Sequence, residues 1–327
     1  MSTPTEHLST PAMTDMDALR TGAALLSKPD AGVLILTDND RADFLHRMST
    51  NDINGLRSGH AVTTVVTSPT ARNLFVFTVL ARPDDLLLLP AAGRAAALAK
   101  HLRGQIFFMD AVKVADAGAD LRRLRLMGPE ATAVLTALGL DLRDAADGAW
   151  VEADGIIALR QTQFDIPGIE LIVPAAAVGD VTARLTAAGA HLLTGAEAYH
   201  VRRVELGRPA PGAEITEDFN PLESGLAWAC ADNKGCYTGQ EIIARQLTYD
   251  KVTKTLVGLV ADRPLAAGAE VTAEDRTVGS VTSAVFSPHL QRYLALAVIK
   301  RPYNADATVV DVDGTPAVVT ALPFSEG

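Results

Sequence analysis

The chain carries the stretch Lys234-Gly235-Cys236-Tyr237-Thr238-Gly239-Gln240-Glu241, in which glycines flank a cysteine just ahead of a helical pattern. Thr238 and Glu241 have the threonine-x-x-glutamate spacing of a capping box, which predicts that a helix begins here. Cys236 would then lie near the positive end of the helix dipole and close to Lys234, and both favour a thiolate, although Glu241 opposes it. The stretch therefore marks Cys236 as a candidate for chemistry.

This stretch resembles the signature of the YgfZ group of folate-binding proteins, which are relatives of the glycine-cleavage T-protein (aminomethyltransferase). Further segments follow the order found in that superfamily, namely residues 43–53, 203–209, 212–214, 221–226 and 279–283. The resemblance implies an α+β fold, a three-domain T-protein-like cloverleaf around a central folate-sized opening. A small C-terminal β-barrel would complete it.

The composition excludes several classes of protein. Hydrophobic residues make up 48% of the 327 residues, so the chain can bury substantial cores. A net charge of −10 and only 5% aromatic residues argue against direct nucleic-acid binding, which depends on neutralised phosphates and stacked bases. No apolar run approaches transmembrane length, and the N-terminus lacks the apolar core of a signal peptide. A cytoplasmic protein without membrane association is expected, and nothing points beyond a monomer.

The two cysteines restrict the possible chemistry further. Cys230 and Cys236 cannot staple a chain of this length, and their spacing matches neither a zinc site nor an iron–sulfur cluster. Cys230 follows an apolar run and is expected to be a core thiol. No metal site is predicted. His46, His200 and His289 have no partner pattern and are expected to be packing or surface residues.

Turn-forming residues between apolar segments predict the organisation of the chain. Residues 1–16 are rich in Ser, Thr and Pro and are expected to form a flexible tail. Residues 17–254 are expected to form an α+β body, and residues 255–327, with short strands and turn signals, a β-barrel. The resemblance implies that the body comprises two interleaved domains that bind folate. Helices are predicted at 40–48, 91–102, 129–138, 175–188 and 195–206. The strands predicted in the body are 31–37, 61–67, 74–80, 86–89 and 121–127.

The resemblance also assigns roles to residues. The glutamate of Arg-x-Glu-x-Gly faces the pterin ring in T-protein relatives, and Glu205 matches it, whereas Arg203 is taken as structural. A carboxylate suits that role because it accepts hydrogen bonds from the ring's N–H groups. Arg245 and Gln240 are further predicted folate contacts. Catalytic roles are predicted for Cys236 and for two neighbours in the motif, Tyr237 to position the cysteine and Lys234 to support the thiolate or attract the folate tail.

One departure from the family pattern concerns the reaction. Aminomethyltransferases carry Gly-Gly-x-x-Asp-Asp-Leu, whose aspartate helps the chemistry at the folate nitrogen. The corresponding stretch here is residues 70–76, which places Leu74 and Phe75 at the acidic positions. Because apolar side chains cannot accept or direct a proton, this substitution argues against the aminomethyltransferase reaction.

The leading hypothesis is an accessory protein that binds tetrahydrofolate, or a folate derivative, and uses Cys236 in a redox or transfer role. The family is linked to the assembly or repair of iron–sulfur proteins, including tRNA-modifying enzymes, so an iron–sulfur client or assembly protein is the expected partner. Two alternatives stand beside it. One is a folate-dependent aminomethyltransferase or one-carbon transferase, and the other is a non-catalytic folate sensor. Sequence alone leaves open whether the chain is an enzyme.

Overall fold

A computed structural model describes residues 9–325, which divide into two compact units. One, named the sheet unit, comprises Asp17–Leu193 and Ala229–Gln240. The other, named the barrel unit, comprises residues 9–16, Thr194–Trp228 and 241–325. Each unit is therefore built from segments that are not contiguous in the chain.

The α-helices are α1 (Thr10–Thr21), α2 (Arg41–Met48), α3 (Ala95–Arg103), α4 (Ala131–Leu135), α5 (Val178–Ala187), α6 (Glu197–Glu205) and α7 (Gln240–Thr248). The strands up to residue 193 are β1 (Ala23–Lys28), β2 (Leu34–Thr37), β3 (Ala61–Thr67), β4 (Asn73–Ala81), β5 (Leu86–Pro90), β6 (Lys113–Asp116), β7 (Leu121–Met127), β8 (Trp150–Ala153), β9 (Ile156–Gln161), β10 (Gly168–Pro174) and β11 (Ala190–Leu192). The later strands are β12 (Lys254–Ala261), β13 (Glu270–Ala273), β14 (Arg276–Ser287), β15 (Arg292–Lys300), β16 (Val309–Val312) and β17 (Thr315–Thr320).

The sheet unit contains two sheets, and the strands of one sheet are inserted as a block within the chain of the other. The five-stranded sheet has the order β3-β4-β5-β2-β6, and the six-stranded sheet has the order β11-β1-β7-β10-β9-β8. The first sheet is thus inserted between β1 and β7 of the second. Apolar side chains from both sheets, such as Leu80, Leu87 and Leu159, share one buried cluster. The two sheets of this unit therefore pack on a common core.

Helix α2 lies on the five-stranded sheet and positions the site described below. Phe44 and Leu45 are fully buried among Phe77 and Val79 of β4 and Leu98 of α3. Their burial fixes one face of α2 against the sheet, because large apolar side chains each contribute about 1.5–3 kcal/mol when removed from water. The C-terminal end of α2 is thereby held in a defined place.

Strand β7 alternates leucine with arginine, a pattern that predicts one buried face. The structure buries both faces, since Arg125 is 0% exposed and Arg123 is 7% exposed. Arg123 Nε donates to the fully buried Glu170 on the neighbouring strand β10, and Lys28 Nζ lies 3.3 Å from the same carboxylate. Burial opposes ionisation of Glu170, but these cations hold its pKa below the ordinary value. The arginines therefore occupy an internal ion cluster, because the second sheet covers the face expected to meet water.

The barrel unit contains a closed barrel of order β12-β15-β14-β13-β16-β17, as the sequence predicted. Its interior is apolar, with Leu259, Ala295 and Ile299 at 0% exposure. Gly279 lies where β14 approaches β15, and a Cβ there would be 2.3 Å from the carbonyl oxygen of Val298. Because there is no room for a side chain at this position, the Gly-Ser-Val-Thr-Ser segment begins with a glycine.

Residues 10–16 of the expected flexible tail belong to α1, which buries Ala12, Asp15 and Met16, while residues 1–8 lie outside the described chain. The barrel strands begin with β12 at Lys254, next to the expected boundary at residue 255. Thr194–Trp228 and the segment from Glu241 onward group with the barrel in the same unit. The mixed α+β class and the C-terminal barrel are confirmed.

Candidate functional site

The motif loop, residues 231–239, runs through the sheet unit and leads into α7. This helix begins at Gln240, so Gly239 rather than Thr238 precedes it, and the predicted capping box is wrong by one residue. Gly239 has a φ of +84°, and the carbonyl of Thr238 accepts a hydrogen bond from the Thr67 hydroxyl. The Thr238 carbonyl thus joins the motif loop to β3 just ahead of α7.

Lys234 anchors one end of the motif loop. Its ammonium donates to the backbone carbonyls of His46, Ser49 and Asn51, at the end of α2 and just beyond it. An ammonium has three donors, and all three are occupied by these carbonyls. Burial lowers the pKa of Lys234 to about 8, so the group is still charged at neutral pH. These contacts hold the loop, and the support of a Cys236 thiolate by Lys234 stays a prediction.

Gly239 anchors the other end against the turn between β3 and β4. A Cβ at this position would lie 2.7 Å from the carbonyl oxygen of Ser68 and 3.0 Å from Cα of Ala71. The positive φ of Gly239 is also one that only glycine adopts without cost. The glycine is therefore required both by the space and by the backbone conformation.

Tyr237 and Gln240 both contact Lys234, one through its ring and the other through its side-chain amide. Tyr237 is 9% exposed, and the Lys234 ammonium lies 4.9 Å from the centre of its ring. Burial raises the pKa of the Tyr237 phenol, so it is not a source of protons at neutral pH. The side-chain amide of Gln240 donates to the carbonyl of Lys234 at 3.4 Å. The predicted positioning role of Tyr237 thus has a structural basis, whereas folate contact by Gln240 stays a prediction.

The two cysteines have opposite environments. Cys236 is exposed on the motif loop, whereas Cys230 is buried, as expected for a core thiol. Burial raises the pKa of Cys230 to about 12. Since the thiolate is the reactive form, Cys236 is the cysteine suited to react with a molecule from solution.

His46 is a neighbour of the loop that sequence reasoning missed. Its Nε2 lies 3.7 Å from the place that a Cβ on Gly235 would take, and its Nδ1 lies 3.2 Å from Asp52 Oδ1. The sequence separates His46 from the motif by 188 residues, as measured to Lys234. Only the approach of the motif loop to α2 reveals this neighbour.

The loop after α3 exposes three consecutive large apolar side chains. Phe107, Phe108 and Met109 are 66%, 99% and 74% exposed. Asp110 shapes this loop, because its carboxylate accepts from the backbone N–H of Phe107 and from Arg47 of α2. This apolar loop is therefore anchored on the same helix as the motif loop.

Glu205, the predicted pterin ligand, ends α6 in the barrel unit and is 2% exposed. Arg202 Nη1 donates to its Oε2 at 2.9 Å, and the Ser287 hydroxyl donates to its Oε1 at 2.7 Å. These partners hold the carboxylate in place inside the barrel unit, and its role in folate binding stays a prediction. Arg245, exposed on α7, is likewise untested.

Arg203 has the structural role expected for it. Its guanidinium donates to Glu214 at 2.9 Å, to the Ser283 hydroxyl of β14 and to the carbonyl of Arg208. Both Arg203 and Glu214 are buried, so this pair is shielded from water. The network ties α6, the following loop and the barrel together within one unit.

Comparison with known families identifies the chain. Residues 4–234 match the model of the GCVT N-terminal domain, and residues 254–325 match that of the glycine cleavage T-protein C-terminal barrel domain. The chain belongs to the T-protein family. Its fold agrees with a solved structure of the glycine cleavage system aminomethyltransferase T from Bartonella henselae, with a TM-score of 0.86 at 22% identity over 96% of this chain and 90% of that one.

Curated relatives of this T-protein family member span most of its length. A putative chloroplastic transferase from Arabidopsis thaliana is 30% identical over 94% of this chain and 73% of the relative. An aminomethyltransferase from Geobacillus kaustophilus is 30% identical over 94% of this chain and 88% of the relative. Both relatives therefore agree with membership of the T-protein family over most of the chain.

The turn between β3 and β4 shows what this T-protein family member has at the acidic positions. Phe75 is used for packing, since its ring lies 5.4 Å from that of His101 and 4.9 Å from the Arg94 guanidinium. Leu74 packs against the core of the five-stranded sheet. From Ala61 to Ala81 the hairpin has no acidic residue. Leu74 and Phe75, which the resemblance places at the acidic positions of an aminomethyltransferase, are thus both used for apolar packing.

Two further properties concern residues 9–325. Within that range, no three His, Cys, Asp or Glu side chains are grouped so as to hold a metal ion. No helix in the same range is long and apolar enough to cross a membrane. Cytoplasmic location and a monomeric state stay predictions.

Proposed function

We propose that this chain is a YgfZ-type member of the T-protein family. It binds a reduced folate, tetrahydrofolate in the first instance, and serves as an accessory protein in the assembly or repair of iron–sulfur proteins, including tRNA-modifying enzymes. Its partner is an iron–sulfur client or assembly protein. The observation that carries the proposal is the exposed Cys236 on a loop whose other motif residues hold it in place.

The structural roles of the other motif residues support a reactive thiol at Cys236. Lys234 and Gly239 fix the two ends of the loop, and Tyr237 packs beneath the ammonium. A loop that only filled space would not need anchors at both ends around an exposed cysteine. A reactive thiol does need them, because a side chain that reacts must be held near its productive position.

Glu205 is the proposed folate contact. Its carboxylate, held by Arg202 and Ser287, would accept from the N–H groups of the pterin ring. When bound, tetrahydrofolate would supply a carrier for one-carbon groups at its ring nitrogens. Arg245 and Gln240 are proposed as further contacts to it.

Calorimetric titration of tetrahydrofolate tests the ligand. Binding by the wild-type protein that falls at least about tenfold in Glu205→Ala supports the proposal, because a charge-assisted hydrogen bond contributes about 1.5–3 kcal/mol. Glu197→Ala, at an exposed position of the same helix, is the matched control and is expected to bind normally. Absence of binding to the wild-type protein would remove folate from the proposal.

Replacement of Cys236 tests the thiol. Cys236→Ala is expected to fold and to bind tetrahydrofolate like the wild type, since the side chain is exposed. It should nevertheless fail to support the activity of an iron–sulfur tRNA-modifying enzyme in cells that depend on this chain. Full activity of Cys236→Ser would instead favour a non-catalytic folate sensor.

An aminomethyltransferase is the second candidate, favoured by the curated relatives of that name. The hairpin of β3 and β4 argues against it, because it offers no acidic residue. Incubation with tetrahydrofolate and an aminomethyl donor distinguishes the two. Formation of a one-carbon folate at a rate that depends on enzyme concentration would establish the transferase, and no turnover alongside tight folate binding favours the accessory role.

A further inference from the structure

The apolar loop, residues 107–109, exposes a contiguous apolar patch on the sheet unit. Phe108 is 99% exposed, whereas Ile106, two residues earlier, packs against the core of the five-stranded sheet. Single exposed apolar residues are common on protein surfaces, but a contiguous patch of large apolar side chains marks an interaction site. The patch therefore has the character of a surface that a partner covers.

Hydrogen bonds hold the loop in one conformation. The backbone N–H of Asp110 donates to the carbonyl of Phe107 at 3.0 Å, which closes a turn with Phe108 and Met109 at its tip. The Asp110 carboxylate accepts from the N–H of Phe107 at 3.0 Å and from Arg47 of α2 at 2.8 Å. Because the tip is already ordered, a partner that covers it does not have to order the loop as well.

Charged residues of both signs flank the tip. Lys100 and Arg103 are exposed in the last turn of α3, from which the loop leaves. Residues 38–47, on and just before α2, have three carboxylates and two guanidiniums, namely those of Asp38, Asp40, Asp43, Arg41 and Arg47. This stretch contacts the loop through the pair of Arg47 and Asp110. Beyond the tip, Asp110 and Lys113 add one charge of each sign. The flank on α3 is therefore positive, and the flank on α2 is negative.

We infer that the patch binds a second copy of this chain and forms a weak two-fold dimer. In a two-fold interface the same surface of both copies meets, and every contact between two residues occurs twice. A surface that carries both signs is then complementary to itself, because the positive flank of one copy lies against the negative flank of the other. An anionic membrane, or a partner of uniform charge, would instead meet like charge on one flank.

The area of the patch agrees with a weak dimer. A whole phenylalanine side chain covers about 150–250 Å², so the exposed fractions of Phe107 and Phe108 offer about 250–400 Å². Two copies would bury about 500–800 Å² from these rings alone, and Met109 and the charged flanks add to this. Interfaces below about 1,200 Å² in total belong to weak and reversible complexes. We therefore expect a dissociation constant on the order of 10 μM.

The dimer replaces the monomer expected from the sequence, and it depends on neither the folate nor the thiol of the proposed function. Analytical ultracentrifugation of the full chain tests it. Between about 1 and 200 μM, a range that brackets the expected dissociation constant, the sedimentation coefficient should rise from that of a monomer toward that of a dimer.

Two substitutions at exposed aromatic residues separate the patch from the rest of the surface. Phe108→Ser should raise the dissociation constant at least about tenfold, because a few central side chains carry most of the binding energy of an interface. Tyr249→Ser removes an aromatic side chain that is 65% exposed in the barrel unit, and it should leave the dissociation constant unchanged. Circular dichroism should show that both variants fold.

Charge reversal tests the two-fold arrangement. Lys100→Glu should weaken the dimer at least about threefold, because the flank on α3 then meets the carboxylates of α2 in the other copy. Asp43→Lys should weaken it similarly, because the flank on α2 then meets Lys100 and Arg103. An equimolar mixture of the two variants should dimerise like the wild type, since each reversed flank then meets one of opposite charge.

A wild type that stays monomeric up to about 200 μM would overturn the inference, and so would a dimer that Phe108→Ser leaves intact. Mixed charge-reversed variants that stay monomeric would reject the two-fold arrangement of the flanks. Binding of a monomeric wild type to phosphatidylglycerol vesicles, lost in Phe108→Ser, would assign the patch to a lipid surface in place of a second copy.

Discussion

Replacing Gly239 with alanine should destabilise the sheet unit. Its φ of +84° costs a residue with a Cβ roughly 1–2 kcal/mol. The added carbon would also lie 2.7 Å from Ser68 O and 3.0 Å from Ala71 Cα, both of them backbone atoms that cannot rotate away. Forcing such a contact typically costs about 1–3 kcal/mol. We therefore expect the free energy of unfolding to fall by about 3 kcal/mol.

Gly235→Ala is the matched control four positions earlier. A Cβ there meets only His46 Nε2, at 3.7 Å, which is an ordinary van der Waals distance. Its stability should stay within about 0.5 kcal/mol of wild type. In thermal unfolding followed by circular dichroism, Gly239→Ala should lower the Tm by about 6–12 °C, given roughly 2–4 °C per kcal/mol at this size. Equal Tm values for the two variants would refute the predicted close approach of Gly239 to the turn.

Further predictions concern stability and reactivity. Lys234→Met removes three hydrogen bonds to carbonyls and should cost about 3 kcal/mol in urea unfolding, whereas the exposed Lys113→Met should cost under about 1 kcal/mol. Burial lowers the pKa of His200 to about 4, so the fold favours its neutral form and should lose about 2–3 kcal/mol as the pH falls from 6.5 to 4. His200→Gln should flatten that limb, and parallel pH curves would contradict this. At pH 8, Cys236 should be alkylated much faster than Cys230, as peptide mapping can show.

Much of the fold could be predicted because its patterns are local. Strands β3 and β7 have the predicted bounds, since polar turn residues punctuate apolar runs at their ends. Strands β1, β6 and β8 to β11 were not predicted. Strand β1, for example, depends on distant pairing: Ala23 pairs with Ala190, and Ala24 with Met127. A three-residue strand such as β11 carries no periodic signal of its own.

The site could be predicted only where it is contiguous in the chain. The motif drew attention to Cys236, and the structure leaves that side chain exposed. The contacts of the Lys234 ammonium with the carbonyls of residues 46, 49 and 51 could not be predicted, because these residues are about 185 positions away in the chain. The approach of Gly235 to His46 could not be predicted for the same reason. Packing, not sequence spacing, decides these roles.

The last segment of the sheet unit, Ala229–Gln240, is synthesised well after the rest of that unit. Ala229–Gln240 leaves the ribosome only after Thr194–Trp228, which belongs to the other unit. Until then both sheets can form, but the carbonyls of residues 46, 49 and 51 still await the Lys234 ammonium. The thiol therefore reaches its place late in translation, when most of the scaffold around it already exists. A nascent chain that stops before residue 229 would carry both sheets without Cys236 and the rest of the motif loop.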